Sequence, residues 1–274
     1  MNVMFYNGTA AKYDTYYAKA VQIDPEKGAI ETICGVVPYS YAGVDYTIFE
    51  HQVMAWSMTE EVTLTLYAEK DGVVYVGQSI TTSVQALALE KLASYAAAGN
   101  KINCAALVDM LNYGAELQEN QKHNTGSKPS AGAYAEYGTT EGAPEFNAVT
   151  NVTGSGIVGY GPSISMQAKV EFNVMYSEAD LAGKTVKAFV DGKEVEILYN
   201  TEIAPGWPIA RIAVAANKLR STFTIAVYDA NGNVVSQVIE TSIEACAKTH
   251  IGTANNDLII ALMRYGDSVS KVAV

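Results

Sequence analysis

The sequence predicts an α+β protein built from two tandem homologous modules, each a mainly antiparallel β-sheet or sandwich with C-terminal helices packed on it. Two observations support this fold class. Hydrophobic residues make up 49% of the 274 positions, enough to bury a core, and strand-like alternation is followed by helical periodicity twice along the chain. The predicted boundaries are residues 1–118 for the first module, 119–148 for a polar linker or long loop rich in glycine and proline, and 149–274 for the second module.

Four blocks of sequence recur in the same order, which indicates a tandem duplication. Each copy begins with a hydrophobic block that ends in tyrosine, and a turn sequence follows it. The matched blocks are 62–67 with 223–228, the turns 70–72 with 231–232, 82–86 with 241–245, and 107–114 with 259–266.

The first block predicts a strand with one buried face. Its hydrophobic residues occupy alternate positions, and this period of two places them on the same side of a sheet. The following Asp71-Gly72 and Asn231-Gly232 accept the positive φ angles of tight hairpins, so each strand is predicted to fold back on the next. The alternating residues are Val62, Leu64 and Leu66 in one copy and Phe223, Ile225 and Val227 in the other.

A helix is predicted after each hairpin, beginning near Ser83 and near Ser242, and the first is predicted to be longer, extending to Tyr95. A threonine followed three residues later by Gln or Glu has the spacing of a capping box, which satisfies the free amides of a helix start. The two boxes are Thr82 with Gln85 and Thr241 with Glu244.

The last block predicts a second helix, because hydrophobic residues recur at i, i+3 and i+4 and a glycine follows at i+7. The pattern continues beyond Tyr113-Gly114, so we expect the glycine to allow close packing rather than to end the helix. The positions concerned are Leu107, Met110, Leu111 and Gly114 in one copy and Ile259, Leu262, Met263 and Gly266 in the other.

Additional strands are predicted in the second module at 163–175 and at 184–198, the latter turning at Asp191-Gly192. Residues 2–6 align with 173–176, so the first copy lacks a counterpart of the strand at 163–170. An unpaired strand edge accepts a strand from a neighbour.

Charge and motifs argue against several classes of function. With 29 acidic and 18 basic residues the net charge is −11, the opposite of the basic surface that nucleic acid requires. No apolar run reaches the length of a membrane span, and residues 1–7 lack the basic start of a secretion signal.

No catalytic, metal or cofactor site is predicted, and we expect a protein that is not an enzyme. The three histidines lack metal-ligand spacing, and Glu60-Glu61 is expected to face water at a strand start. The glycine-rich segment 154–159 is interpreted as a loop, and 229–233 as a hairpin turn rather than a calcium loop. The cysteines are expected to be unpaired, small buried side chains.

Tyrosine is the one compositional excess, with 18 residues, and tyrosine is enriched at protein interfaces. Many of the tyrosines fall in the predicted loops 36–50 and 130–162. The candidate binding residues are Tyr39, Tyr41, Tyr46, Tyr134, Tyr137 and Tyr160.

The helical blocks 107–118 and 257–268 resemble paired modules in large surface proteins of gut clostridia and ruminococci, although Thr82-Ser83-Val84 departs from the tyrosine usual at the helix start there. The resemblance implies a non-catalytic cell-surface or adhesion module that binds a host or cell-wall protein or glycan. The alternative is a structural subunit of a phage virion or surface filament whose partners are copies of itself, and a third is a carbohydrate-active accessory domain. The expected location is extracellular for the adhesion module, and a virion made in the cytoplasm for the subunit.

Overall fold

A computed structural model describes residues 1–6, 12–139 and 142–272, and it is an α+β fold in which every pairing between strands is antiparallel. This confirms the α+β class and the mainly antiparallel sheets that the sequence predicts. We call residues 1–139 the first half and 142–272 the second half. Each half contains two sheets that pack face to face as a sandwich, followed by helices.

The described residues of the first half form seven strands in two sheets with the orders β1-β5-β4 and β3-β2-β6-β7. Phe49 of one sheet packs against Ala18, Ala20, Val62 and Leu64 of the other. The strands are β1 (Asn2–Tyr6), β2 (Thr15–Asp24), β3 (Gly28–Ile33), β4 (Gly35–Tyr41), β5 (Val44–Glu50), β6 (Val62–Lys70) and β7 (Val73–Thr82).

The second half has nine strands in sheets with the orders β13-β14-β10-β9 and β12-β11-β15-β16-β8. The rings of Phe172 and Phe223 meet between these sheets, 4.8 Å apart. The strands are β8 (Asn151–Thr153), β9 (Tyr160–Met166), β10 (Val170–Met175), β11 (Thr185–Val190), β12 (Lys193–Val195), β13 (Leu198–Asn200), β14 (Ile209–Val214), β15 (Phe223–Tyr228) and β16 (Val238–Thr241).

Two helices follow the last hairpin of each half, and a short helix lies between β10 and β11. They are α1 (Val84–Ala97), α2 (Lys101–Gln121), α3 (Glu178–Leu181), α4 (Ile243–Lys248) and α5 (Asn256–Ser270), with 3-10 segments at Ala55–Ser57, Gly132–Tyr137 and Ala216–Lys218. The first helix of the first half is longer than its counterpart, as predicted. Residues 119–121, predicted to lie in a linker, belong to α2.

The sheets of the two halves have the same order apart from two strands. Removing β8 and β9 from the second half leaves β13-β14-β10 and β12-β11-β15-β16, which correspond in order to β4-β5-β1 and β3-β2-β6-β7. In this correspondence β1 matches β10, which is the alignment drawn from the sequence. No strand among the described residues pairs with the outer edge of β1 or of β7.

The helix starts differ in one detail from the predicted capping boxes. Ser83 and Ser242 are the N-cap residues, and their hydroxyls accept hydrogen bonds from the N–H groups of Ala86 and Ala245 at 3.1 and 3.0 Å. Thr82 and Thr241 therefore precede the cap. Gln85 and Glu244, the long polar residues of the predicted capping boxes, instead bind the segment between the halves. Gln85 accepts a hydrogen bond from Ser130 N, and Glu244 accepts one from Asn147 N.

The two halves meet where α2 crosses α5. Tyr113 and Tyr265 stack there with ring centroids 5.8 Å apart. Gly114 and Gly266 lie inside their helices, and each allows its helix to approach a 3-10 segment closely. A Cβ added at Gly114 would lie 3.0 Å from the carbonyl oxygen of Ala55, and one added at Gly266 would lie 3.0 Å from that of Ala216. The glycines thus serve close packing, as predicted, although against 3-10 segments rather than a sheet.

The buried hydrophobic residues form two clusters of very different size. The larger cluster is continuous through the second sandwich, α1, α2, α4 and α5, and it includes residues from both halves. The smaller cluster lies inside the first sandwich, and its buried members among the described side chains are Ala18, Ala20, Cys34, Phe49, Val62 and Leu64.

Candidate functional site

The inner face of β7, the face turned towards the other sheet, is exposed. Ile80 pairs with Leu64 of β6, so it lies on the buried face of the sheet, yet 52% of its surface is exposed. Ile239 occupies the corresponding place in β16, pairs with Ile225, and is only 3% exposed. The same position is therefore covered in one half and open in the other.

The segment that covers Ile239 is the one that joins β8 to β9. Its backbone bonds across the sheet, since Ile157 N donates to Val235 O and Gln237 N donates to Ile157 O. Gly159 lies so close that an added Cβ would be 3.1 Å from Ile239 Cδ1.

Strand β7 also exposes apolar side chains over most of its length, on both faces. Tyr75, which pairs with Ala68, shares the inner face with Ile80, whereas Val74 and Val76, which pair with Glu69 and Tyr67, lie on the outer face. The exposed fractions of Val74, Tyr75 and Val76 are 53%, 47% and 67%. A long apolar edge strand of this kind is a template for pairing with another chain.

Three of the candidate tyrosines lie on a hairpin rather than in a loop. Residues 36–50, predicted to be a loop, form β4 and β5, and Tyr39 and Tyr46 sit opposite one another with ring centroids 6.4 Å apart. Tyr41 ends β4 and is 66% exposed. The loop prediction failed because β4 has no buried residue to impose a period of two, and the buried face of β5 carries the polar Thr47 beside Phe49.

The other three candidate tyrosines lie on two further elements. Tyr134 and Tyr137 belong to the 3-10 segment Gly132–Tyr137 and pack, partly buried, on the larger core. Tyr160 begins β9 and meets the Trp207 ring edge-on at 5.4 Å. The six candidates are thus distributed over three elements.

A buried polar cluster lies at the end of the first sandwich next to α2. Glu60, 4% exposed, accepts a hydrogen bond from Gln22 Nε2 at 2.6 Å and lies 2.5 Å from His123 Nε2. Gln22 Oε1 lies 3.3 Å from His51 Nε2. The expectation that Glu60 faces water is therefore wrong, because the 3-10 turn before β6 directs it inwards.

Asp24 completes this cluster at the end of β2, where it is 7% exposed. One oxygen each of Asp24 and Glu60 and a ring nitrogen of His123 lie within 4.8 Å of one another. Burial by itself would raise the pKa of Asp24, but hydrogen bonds from the N–H groups of Lys27 and Glu26 and the neighbouring His123 lower that pKa. Sequence spacing did not reveal this cluster, because its members are 36 or more positions apart.

His123 owes its position to the end of α2. Lys122 adopts a left-handed conformation with φ 56°, and His123 N donates to Gln118 O, which is the Schellman end of a helix. The following loop is held by Gln118 Nε2, which donates to Asn124 O and Ser127 O, and by Thr59 Oγ1, which donates to Ser127 O at 2.8 Å.

An apolar cleft of about 480 Å³ lies between the halves, beside the stacked tyrosines. Its walls come from the two 3-10 segments and from β10, β14, α1, α2 and α5, and Lys169 is the only Lys, Arg, Asp or Glu among its lining residues. Cys34 and Cys104 are unpaired and buried, as predicted, and burial raises the pKa of both thiols. Cys246 is also unpaired but only partly buried, so the prediction of a buried side chain does not hold for it.

None of the described helices is long and apolar enough to cross a membrane. A comparison with protein-family models gives no match to this chain, and a comparison with curated proteins gives none either. The resemblance of the helical blocks to surface-protein modules stays a prediction, and the case for function comes from the geometry of the first sandwich.

Proposed function

We propose that this chain is a non-catalytic binding module that accepts an extended segment of a protein partner along the inner face of β7. The observation that carries the proposal is the contrast between Ile80, 52% exposed, and Ile239, 3% exposed, at corresponding positions. In the second half an extended segment covers Ile239, and a segment of the same kind fits over Ile80 in the first half.

The energetic case rests on apolar surface and backbone pairing together. Complete burial of an isoleucine side chain contributes about 1.5–3 kcal/mol, so covering the exposed half of Ile80 contributes about 1 kcal/mol, with a further contribution from Tyr75. The free edge of β7 supplies backbone groups for strand addition, in which main-chain hydrogen bonds give affinity and side-chain contacts give specificity.

The proposal includes a tandem duplication with modules at 1–118 and 149–274 joined by residues 119–148. The matching sheet orders support it, and so do the paired features of the helices: Ser83 with Ser242 at the N-caps, and Gly114 with Gly266 at the close approaches. Counterparts of β8 and β9 are not among the described residues of the first copy, where the inner face of β7 is open.

We place the module at a bacterial cell surface, with a host or cell-wall protein as the partner class. The resemblance of residues 107–118 and 257–268 to surface-protein modules supports this location. Tyr39, Tyr41 and Tyr46 offer a second contact area on β4 and β5, where a glycan or protein would meet the exposed rings of Tyr39 and Tyr41 beside the half-buried Tyr46.

A second candidate function is a structural subunit whose partner is another copy of the chain. The observation that favours it comes from the chain itself. Residues 151–166 form the strands β8 and β9 and the covering segment between them in the second half, so the chain contains a sequence suited to cover the exposed inner face of β7. A swap of this segment between copies would link subunits.

The test uses a fluorescent peptide with the sequence of residues 149–167 and the full chain. We expect saturable binding, and we expect Ile80→Lys to weaken it at least tenfold, because the lysine ammonium would be placed where an apolar contact forms. Val74→Lys is the matched control, since Val74 is equally exposed on the opposite face of the same strand, and it should bind like the parent.

Absence of peptide binding, or equal binding by the Ile80→Lys variant, would refute the proposal. Light scattering on the parent chain separates the two partner classes. A mass of 29.3 kDa at all concentrations supports a foreign partner, whereas concentration-dependent multiples that the Ile80→Lys substitution abolishes support the subunit.

A further inference from the structure

We infer that Asp24, Glu60 and His123 bind a divalent transition-metal ion, with zinc as the best fit, and that this ion joins the first sandwich to the end of α2. The inference is independent of the proposed partner binding. It rests on the geometry, charge and outer contacts of the three side chains.

The three ligand atoms already converge from separate elements. They lie within 4.8 Å of one another, whereas ligands held 2.0–2.2 Å from one zinc ion lie about 3–4 Å apart. To bind the ion, the more distant atoms would move together by about 1 Å, and Glu60 Oε1, now 2.5 Å from His123 Nε2, would move away from it by a similar distance. Asp24 comes from the end of β2, Glu60 from the residue pair before β6, and His123 from the residue pair after α2.

The two buried carboxylates of this cluster favour the binding of a further cation. Asp24 and Glu60 are both more than nine-tenths buried, and one imidazole cannot balance two carboxylates. Lys27 is exposed on the turn after β2. Glu26 adds a carboxylate 3.8 Å from His123 Nδ1. Buried carboxylates this close are costly unless a cation sits between them.

Each ligand is held by an outer contact that leaves one atom for the ion. Gln22 holds Glu60 Oε2, which leaves Oε1 on the side of His123. Backbone N–H groups hold Asp24 Oδ1, which leaves Oδ2. Glu26 lies on the Nδ1 side of the imidazole, so Nε2 is the ligand. A carboxylate on the far nitrogen of a ligating histidine is the usual arrangement in zinc sites.

The donor set selects the metal. One imidazole with two carboxylate oxygens suits zinc or manganese, whereas calcium takes oxygen ligands alone. Zinc binds such a site more tightly than manganese does. The second half has no equivalent set, because Asp191, near the matching strand end, pairs there with Lys218 at 2.8 Å.

The experiment titrates the chelator-treated full chain with zinc chloride by calorimetry, with calcium chloride as the comparison. We expect one zinc ion per chain, a higher melting temperature with zinc, and no response to calcium. Glu60→Gln keeps the shape and the contact with Gln22 but removes the charge, and His123→Gln removes the imidazole. Each should weaken zinc binding by more than about tenfold. His250→Gln, at the histidine of the second half, is the control and should bind like the parent.

Cobalt gives a second readout that reports the ligands directly. Its absorption spectrum in the site should show nitrogen and oxygen coordination, and a thiolate charge-transfer band would instead assign the metal to a cysteine and overturn the inference. No binding of zinc by the parent, or unchanged binding by both folded variants, would overturn it too. Circular dichroism establishes that each variant is folded, and His123→Gln, in a loop, carries the test if Glu60→Gln does not fold.

Discussion

Replacing Phe223 by alanine is expected to lower the free energy of unfolding by about 3–5 kcal/mol. Phe223 is fully buried, its ring lies 4.8 Å from that of Phe172, and it belongs to the larger of the two cores. Alanine would leave a cavity between the two sheets of the second sandwich, because a close-packed interior relaxes only partly around a lost ring. Urea denaturation followed by tryptophan fluorescence measures the change.

The matched substitution is Val62→Ala in the first half. Val62 pairs with Thr82 as Phe223 pairs with Thr241, and it is also fully buried. Its two lost methyl groups cost about 1–2 kcal/mol, so the first half should respond less. An equal or smaller loss for Phe223→Ala would mean that the second sandwich is not the main source of stability.

Replacing Asp109 by alanine is expected to cost about 2–4 kcal/mol, because it strips several buried donors of their acceptor at once. Asp109 is 1% exposed on α2. Its carboxylate accepts from Thr139 N at 2.9 Å, from Thr139 Oγ1 at 2.8 Å and from Ser268 Oγ of α5. It therefore joins both long helices to the segment between the halves.

Asp109→Asn is the control for this prediction. The amide keeps the shape and one acceptor oxygen for Thr139 N, and the two hydroxyls can rotate to accept from its NH₂ group, so the cost should be about 1 kcal/mol. The same urea titration compares both variants. Equal losses for alanine and asparagine would show that the negative charge, not the set of hydrogen bonds, stabilises this junction.

The parts of the fold that sequence predicted are those in which local pattern and tertiary burial agree. Strands β6 and β15 alternate because one face is buried, and the Asp71-Gly72 turn has the predicted positive φ angles of 51° and 75°. The helix starts near Ser83 and Ser242 follow from side-chain caps that are local in sequence. Such features depend on residues at most a few positions apart.

The features that sequence did not predict depend on distant residues or on exposed strands. Strand β4 is exposed along its whole length, so no alternation marks it. Its valines and tyrosines favour a strand, but Pro38 argues against one, and proline is tolerated there because β4 is an edge strand. The cluster of Asp24, Glu60 and His123 forms only when β2, β6 and the end of α2 come together. Because the three residues lie on separate elements, their spacing in the sequence does not predict that they lie close together.

The small core of the first sandwich has a consequence for how the molecule opens. Among the described side chains it contains six buried residues, two of them alanines in β2, with four partly buried residues packed against them, whereas the larger core is continuous through both long helices. Proteins unfold locally in cooperative units, and the free energy of opening is lower for a unit that buries fewer apolar contacts. Amides of β2 to β5 will therefore exchange with deuterium through a local event in which the helices stay folded. That event separates Asp24 from His123, so an ion held between them would slow the exchange of these strands while leaving that of α5 unchanged.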